Sequence, residues 1–312
     1  MKGFILALAA MSLFSLYSIF GKILLESVDP IIILIVNQAL AGILIIGVMD
    51  LFRKIKRLTH ASRSELRVIY MLSLMSSVAA PLLFLYGLSM TTATNSILIG
   101  KSEALAMSLF AVAFLREKIT SQQVAGTAFM ILGIAVISTR NFTSVAVNPG
   151  DALVLLSAIV YAGGNVLFKK YMSHIPAEVI VAMRNVFGAA TLFAISLLIV
   201  NPMAAFHFVG VLTPTFVTAL LCLVVLTTIS GQFLWYKALE ITSAARASVS
   251  ILFSPVFGIF YAVTLLGEHL SESQILGGIL IVAGMVVIEI HIRQIRSPIK
   301  RKFHLKLKHH RH

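Results

Sequence analysis

The chain has 312 residues, 59% hydrophobic and 12% charged, with a net charge of +13 and a mean hydropathy of +0.98. A soluble domain carries roughly a quarter charged residues, so this composition excludes a water-soluble globular protein. The lone cysteine, Cys222, excludes an internal disulfide and reads as a small packing residue.

The apolar residues fall in long runs without strand or helical alternation, and a run of about 20 such residues spans a bilayer. Runs of this length are helices, since barrel strands are about 10 alternating residues long. In chain order, ten spans are predicted near 3–25, 31–52, 68–90, 93–115, 121–139, 151–172, 177–200, 212–238, 243–266 and 272–293. The first, behind Lys2, is too long for the apolar core of a signal peptide and lacks a small-residue cleavage site. Pro30 and Pro176 suit the first turns of spans two and seven. Tight hairpins at "TTA" (Thr91–Ala93) and "EIT" (Glu240–Thr242) join spans three to four and eight to nine. "TSQQ" (Thr120–Gln123) and "SESQ" (Ser271–Gln274) read as capping boxes that start spans five and ten.

The positive charge is not spread as nucleic-acid binding requires. It lies in the loop holding Arg53, Lys54, Lys56, Arg57, Arg63 and Arg67, at Arg116/Lys118 and Lys169/Lys170, and in the tail from Arg293 to Arg311. With an even number of spans, the positive-inside asymmetry places all of these, and both termini, in the cytoplasm of a cell that carries the protein in its plasma or inner membrane. The tail "RKFHLKLKHHRH" then lies against anionic headgroups, each basic residue adding about 1 kcal/mol. Its histidines have no metal-ligand spacing.

The chain repeats itself. Shifted by 151 residues, Gly87–Ile137 aligns without a gap on Ala238–Ile288, matching Leu115/Leu266, Glu117/Glu268, Gln123/Gln274, Gly126/Gly277 and Gly133/Gly284. Earlier in each half a shift of about 147 pairs Lys22 with Lys169 and Asn37-Gln38 with Arg184-Asn185. Residues 1–140 thus form one five-helix repeat, 150–293 a second, and 294–312 a basic tail. Five is odd, so the second repeat enters the membrane inverted. The expected fold is an all-α membrane protein of ten helices, two inverted five-helix repeats around a central cavity, a plan common among secondary transporters. Glu117 and Glu268, at helix ends, are expected to orient turns. The paired glycines, seven apart on one helix face, permit close helix packing.

Polar residues at membrane depth are the candidate site. They are Asn37 and Gln38 in span two, Lys101 and Glu103 in span four, Asn165 in span six, and Arg184 and Asn185 in span seven. Arg184 lies about 10 Å from the cytoplasmic edge at 1.5 Å per residue. Lys101 and Glu103 are about 200° apart on a continuous helix and do not both point at one axis. Lys101 either reaches the cavity edge by its stem or pairs with a neighbouring helix. Trp235 and Tyr236 are stacking candidates, or members of the interfacial aromatic belt.

The half-repeat, carried by Ala238-Leu239, Ala244, Ser254-Pro255, Gly267-Glu268, Gln274, Gly277 and Gly284, resembles the EamA branch of the drug/metabolite transporter superfamily. The first half shows Gly87-Leu88, Ala93, Glu103-Ala104, Arg116-Glu117, Gln123, Gly126 and Gly133. Ala104 stands where the family often has proline, and Lys101 is outside the family pattern. The resemblance implies a permease for amino acids, other metabolites or drugs, often an exporter. The expectation is a secondary permease of a small polar metabolite such as an amino acid, working by alternating access as a monomer or homodimer, with a proton on Glu103 as a coupling device. An anionic, phosphorylated metabolite using Lys101 and Arg184 is the alternative substrate, and a lipid flippase component or membrane assembly protein the alternative class. No H-E-x-x-H, G-x-G-x-x-G or G-x(4)-G-K-[ST] pattern occurs, so no enzyme, cofactor, metal or ATP-driven step is expected.

Overall fold

The computed structural model describes residues 2–48, 62–115, 121–137, 139–140, 144–145, 148–171, 177–199, 212–241, 250 and 253–287. Outside them lie the tail, Glu117, Pro176, the start of the Thr120 capping box and most of the basic loop.

Helix α1 (Lys2–Leu25) leads to α2 (Pro30–Val48), where Pro30 opens the helix and Asp29 Oδ1 accepts the Ile31 amide at 2.9 Å. Helix α3 runs from Arg63 to Met90, with a π-helical turn at Leu74–Ala79. It starts five residues before the expected boundary because Ser62 and Glu65 form a capping box, so Arg63 and Arg67 are helical rather than loop residues. The fourth span is broken. Helix α4 (Ala93–Gly100) stops at Lys101, and α5 (Ser102–Leu115) resumes after it. Helix α6 (Ser121–Ile137) closes the first half.

Two short strands, β1 (Thr139–Arg140) and β2 (Ser144–Val145), pair antiparallel in the connection to the second half. There follow α7 (Pro149–Tyr171), α8 (Ala177–Ile199), α9, α10 (Ser254–Leu266) and α11 (Glu272–Val287). Helix α9 comprises Pro214–Cys222, a π-helical stretch Leu223–Gly231 and Gln232–Ile241. The 151-residue shift carries the first π-helical turn, 74–79, onto 225–230, inside the second. Six of these helices are long and apolar enough to cross a membrane, α6, α10 and α11 are shorter apolar helices, and the broken α4–α5 makes the tenth span. Apart from that pair of two-residue strands, the expected ten-span helical architecture is the one observed.

The inversion is visible where equivalent helices meet. A Cβ on Gly133 would lie 2.6 Å from the Gly277 carbonyl oxygen, one on Gly277 2.6 Å from that of Gly133, and one on Gly284 2.5 Å from that of Gly126. Gly126 and Gly133 are the repeat equivalents of Gly277 and Gly284. Contact of each with the other's equivalent, in descending order along α11, means that α6 and α11 cross antiparallel about a local two-fold. Bare backbone on both sides is what lets the helices approach. The same logic pairs α3 with α7 and α9 with α1. The first pair meets at Gly87 and Gly150, the second at Ala238 and Ala7.

One end of the bundle is tied by polar contacts between the repeats. Gly267, at φ 66°, ends α10 in the left-handed conformation that suits glycine, and turns the chain toward α4. The Glu268 carboxylate there accepts the Ala93 amide at 2.6 Å, the Thr94 amide at 2.9 Å and the Thr94 hydroxyl at 2.7 Å. Lys22 donates to the Leu88 and Thr91 carbonyls, Thr91 to Asp151, and Gln274 to Asn95. The Ser271–Gln274 capping box forms as expected. The α3–α4 turn is therefore held by α1, α7, the α10–α11 turn and α11 together. Glu268→Ala removes three charge-assisted bonds from one helix N-terminus. It is expected to cost about 2–3 kcal/mol, read as a lowered unfolding temperature in detergent.

Candidate functional site

The break at Lys101 organises the polar centre. Lys101 keeps helical backbone angles of φ −71° and ψ −10°, and its amide bonds back to the Leu98 carbonyl at 3.1 Å, which tightens the last turn of α4. Its ammonium crosses to the second repeat and donates to the Ser254 hydroxyl at 2.9 Å. Ser254 is the repeat equivalent of Glu103 and begins α10, as Ser102 begins α5. Two helix starts therefore face each other at depth, one carrying a carboxylate and the other a hydroxyl.

Glu103 points to a different neighbour. Its Oε1 accepts from Asn165 Nδ2 of α7 at 2.6 Å. The equivalent contact in the other half is made by neutral groups: the Ser15 hydroxyl of α1 lies 2.8 Å from the Ser254 carbonyl and 3.2 Å from its hydroxyl. Lys101 and Glu103 lie within electrostatic reach of one another, yet they form no direct ion pair. The ammonium uses one of its three donors, and the carboxylate has one oxygen without a bond, among the described residues. Both side chains, and Asn165, retain accessible surface. The Tyr161 hydroxyl of α7 lies within electrostatic reach of Glu103, Arg184 and Tyr17. Tyr17 in turn packs on Phe84 at 5.8 Å between ring centroids.

The amide pairs occupy a second polar layer where α2 crosses α8. Asn37, Gln38 and Asn185 are 2%, 5% and 1% exposed. Asn37 Oδ1 accepts from Thr228 in the π-helical stretch of α9 at 3.2 Å. Gln38 Nε2 donates to the Ser77 carbonyl in the π-helical turn of α3 at 3.1 Å. Such turns free carbonyl oxygens from the helical ladder, and here one is bonded by an amide from span two. Ser77 and Thr228 are repeat equivalents, so the two halves meet α2 through matching positions. Gln38 Oε1, Ser77 Oγ, Arg184 Nε and Asn185 Nδ2 are buried without a hydrogen-bond partner among the described residues. The Arg184 carbonyl accepts from Ser73 at 2.8 Å, and its guanidinium, partly accessible, has no acidic partner among the described residues.

The structure thus links Lys101 to Ser254 and Glu103 to Asn165, and sets Asn37, Gln38, Arg184 and Asn185 along the contacts of α2 and α8 with α3 and α9. Trp235 lies elsewhere. It packs against the Ala7 and Ala238 cluster, and Ala7 precedes Ser15 on α1 by two turns, about 12 Å. Tyr236 is on α9, with its side chain outside the described residues. Sequence reading missed Ser15, Ser254, Tyr17 and Tyr161. The 151-residue shift of Glu103 onto Ser254 was the available signal for one of them. The tyrosines sit in apolar runs and carry none.

The EamA-like transporter family model matches residues 1–139 and again 148–290. Over 301 residues the chain is 25% identical to an uncharacterized transporter of Methanothermobacter thermautotrophicus, covering 92% of this chain and 85% of that one. Over 190 residues it is 32% identical to a Salmonella typhimurium protein named "Probable amino-acid metabolite efflux pump", covering 58% of this chain and 62% of the pump. A solved crystal structure superposes over 94% of this chain and 98% of its own with a TM-score of 0.65 at 15% identity, a likeness of fold. Matched by one family model in both halves, the chain belongs to the EamA-like transporter family and is a multi-pass membrane transporter rather than an enzyme.

Proposed function

We propose that the protein is a secondary permease that moves a small polar metabolite, an amino acid or a close relative, outward across the plasma or inner membrane by alternating access. One observation carries this reading: Lys101 and Glu103 are opposite charges at membrane depth, held apart on separate partners, each with open hydrogen-bonding capacity among the described residues. A buried pair kept only for packing would be joined, because an unpaired charge in low dielectric is costly. Charges held apart suit a ligand with both signs, its carboxylate at Lys101 and Ser254 and its ammonium at Glu103 and Asn165. Protonation of Glu103 gives a means of coupling export to the proton gradient. The efflux-pump names of the Salmonella typhimurium and Escherichia coli relatives support the substrate class and the direction.

In this reading residues 1–140 and 150–293 are the two rocking units, both termini are cytoplasmic, and the tail 294–312 rests on anionic lipid. The contacts about Glu268 belong to the closed end of the transporter. A phosphorylated anion is the second substrate reading. Lys101 and Arg184 favour it, and Glu103 opposes it.

The test uses the full chain with Cys222→Ser and a single cysteine at position 103, 101 or 184. Membrane-impermeant thiol reagents are expected to label each from one side, and a competing amino acid to slow the reaction. A centre that stays unlabelled from both sides defeats the permease reading and favours a lipid-handling or assembly role.

A further inference from the structure

We infer that the substrate is an amino acid with a bulky apolar side chain, an aromatic one fitting best, and that Gly100 sets this preference by leaving that side chain its room; the inference rests on the permease reading above. Ser96, Ile97, Leu98 and Ile99 make one full turn of α4, and none is more than 5% exposed. No side of that turn faces lipid. The next two residues, Gly100 and Lys101, have accessible surface, so the opening at the helix break is internal. Tyr17 of α1 shows the same pattern. Ser15, Leu16, Ser18 and Ile19 around it are buried, and Tyr17 itself is partly accessible. Phe84 of α3 joins the two. It packs against both large apolar clusters of the core and keeps accessible surface. Its ring centroid lies 5.8 Å from that of Tyr17, with the planes tilted by 56°, and its Cε2 lies 3.9 Å from where a Cβ of Gly100 would stand. At 1.5 Å per residue, Tyr17, Phe84 and Gly100 are about 9–12 Å from the tied ends of their helices, so they share one level.

Neither packing nor backbone geometry requires glycine at position 100. A Cβ on the crossing glycines Gly133, Gly277 and Gly284 would come within 2.6 Å of a backbone oxygen. Among the described residues, a Cβ on Gly100 would meet Phe84 alone, at ordinary contact distance. Gly267 is the positive-φ glycine among those residues, and glycine weakens a helix relative to alanine. The repeat equivalent of Gly100 is Ile251, so one half carries a large side chain at this position and the other none. What glycine supplies is volume beside two aromatic rings, next in the chain to the ammonium of Lys101. The side chain of an amino acid leaves the same carbon as its carboxylate and ammonium. With those two groups at Lys101 and Glu103, the space adjoining Lys101 receives the side chain. A tilted ring pair accepts a third ring by edge and offset contacts. A methyl group leaves that volume unfilled, and a charged group loses its water against the rings.

The experiment is counterflow of radiolabelled L-phenylalanine, and in parallel of L-alanine, by the full chain in proteoliposomes, with unlabelled L-phenylalanine, L-leucine, L-alanine and L-glutamate as competitors. Phenylalanine is expected to compete about tenfold better than alanine, the effect of burying a side chain of that size, with leucine between them and glutamate weakest. Gly100→Leu fills the space and is expected to weaken phenylalanine about tenfold more than alanine. Gly100→Ala is expected to shift the ratio in the same direction by less. Thermal unfolding of both variants checks that they are folded, and the wild-type comparison stands even if one is not. Alanine equal to phenylalanine in the wild type overturns the inference. So do Gly100 variants that weaken both substrates alike, which would assign the glycine to the helix break instead. Exchange of alanine or glutamate without phenylalanine overturns the inference and leaves the permease reading standing. No exchange of any amino acid, together with an unlabelled cysteine at position 103, defeats both.

Discussion

Replacing Glu103 by glutamine is expected to stop transport while leaving the protein folded. The amide oxygen of glutamine still accepts from Asn165 Nδ2, so the α5–α7 contact at 2.6 Å keeps its form. What disappears is the negative charge. Lys101 then has only the Ser254 hydroxyl, and a substrate ammonium has no anion to meet. Truncating one member of a desolvated, hydrogen-bonded charge pair costs roughly 2–5 kcal/mol, a loss of roughly thirtyfold or more in binding. Counterflow of amino acids in proteoliposomes measures it, and an unfolding temperature within a few degrees of wild type separates it from misfolding. The same variant tests coupling: if Glu103 carries the proton, the pH dependence of exchange vanishes with it. Transport by Glu103→Gln at the wild-type rate would remove Glu103 from the mechanism.

The second large effect is on assembly of the two halves. Gly133→Ala places a Cβ 2.6 Å from the Gly277 carbonyl oxygen and 3.0 Å from the Ile281 amide, both backbone atoms that a rotamer change does not move. Helices α6 and α11 must separate, and overpacking of this kind costs about 1–3 kcal/mol. Adding Gly284→Ala, which meets the Gly126 carbonyl at 2.5 Å on the same crossing, is expected to lower the unfolding temperature further. Gly47→Ala in α2 is the control. Its Cβ would meet nothing within 4 Å, and alanine there is expected to stabilise by about 0.5–1 kcal/mol through helix propensity. If the two substitutions behave alike, the glycine crossing does not hold the repeats together.

These two experiments bear on different levels of the molecule, and sequence reading reached them unequally. The glycines of α6 and α11 were found by their spacing and doubled pattern, and the structure adds only which pairs with which. For the central site, residue type alone marks the polar positions at depth, but not their partners. The angular separation expected of Lys101 and Glu103 holds for a continuous helix, whereas the chain breaks between them, and each reaches a different neighbour: Ser254 on α10 and Asn165 on α7.

By itself the sequence determined the class of the protein, its ten spans and its doubled five-helix plan. Hydropathy, helix-start residues and self-similarity are properties of the chain read along its length. Only the tertiary structure decided where the fourth span breaks and which amides are used on the π-helical turns. It also decided which charges stay apart. Those outcomes depend on hydrogen-bond partners distant in sequence, such as Ser254 for Lys101 and Thr228 for Asn37. A buried polar atom takes its character from the group brought opposite it by packing, and no local pattern encodes that group.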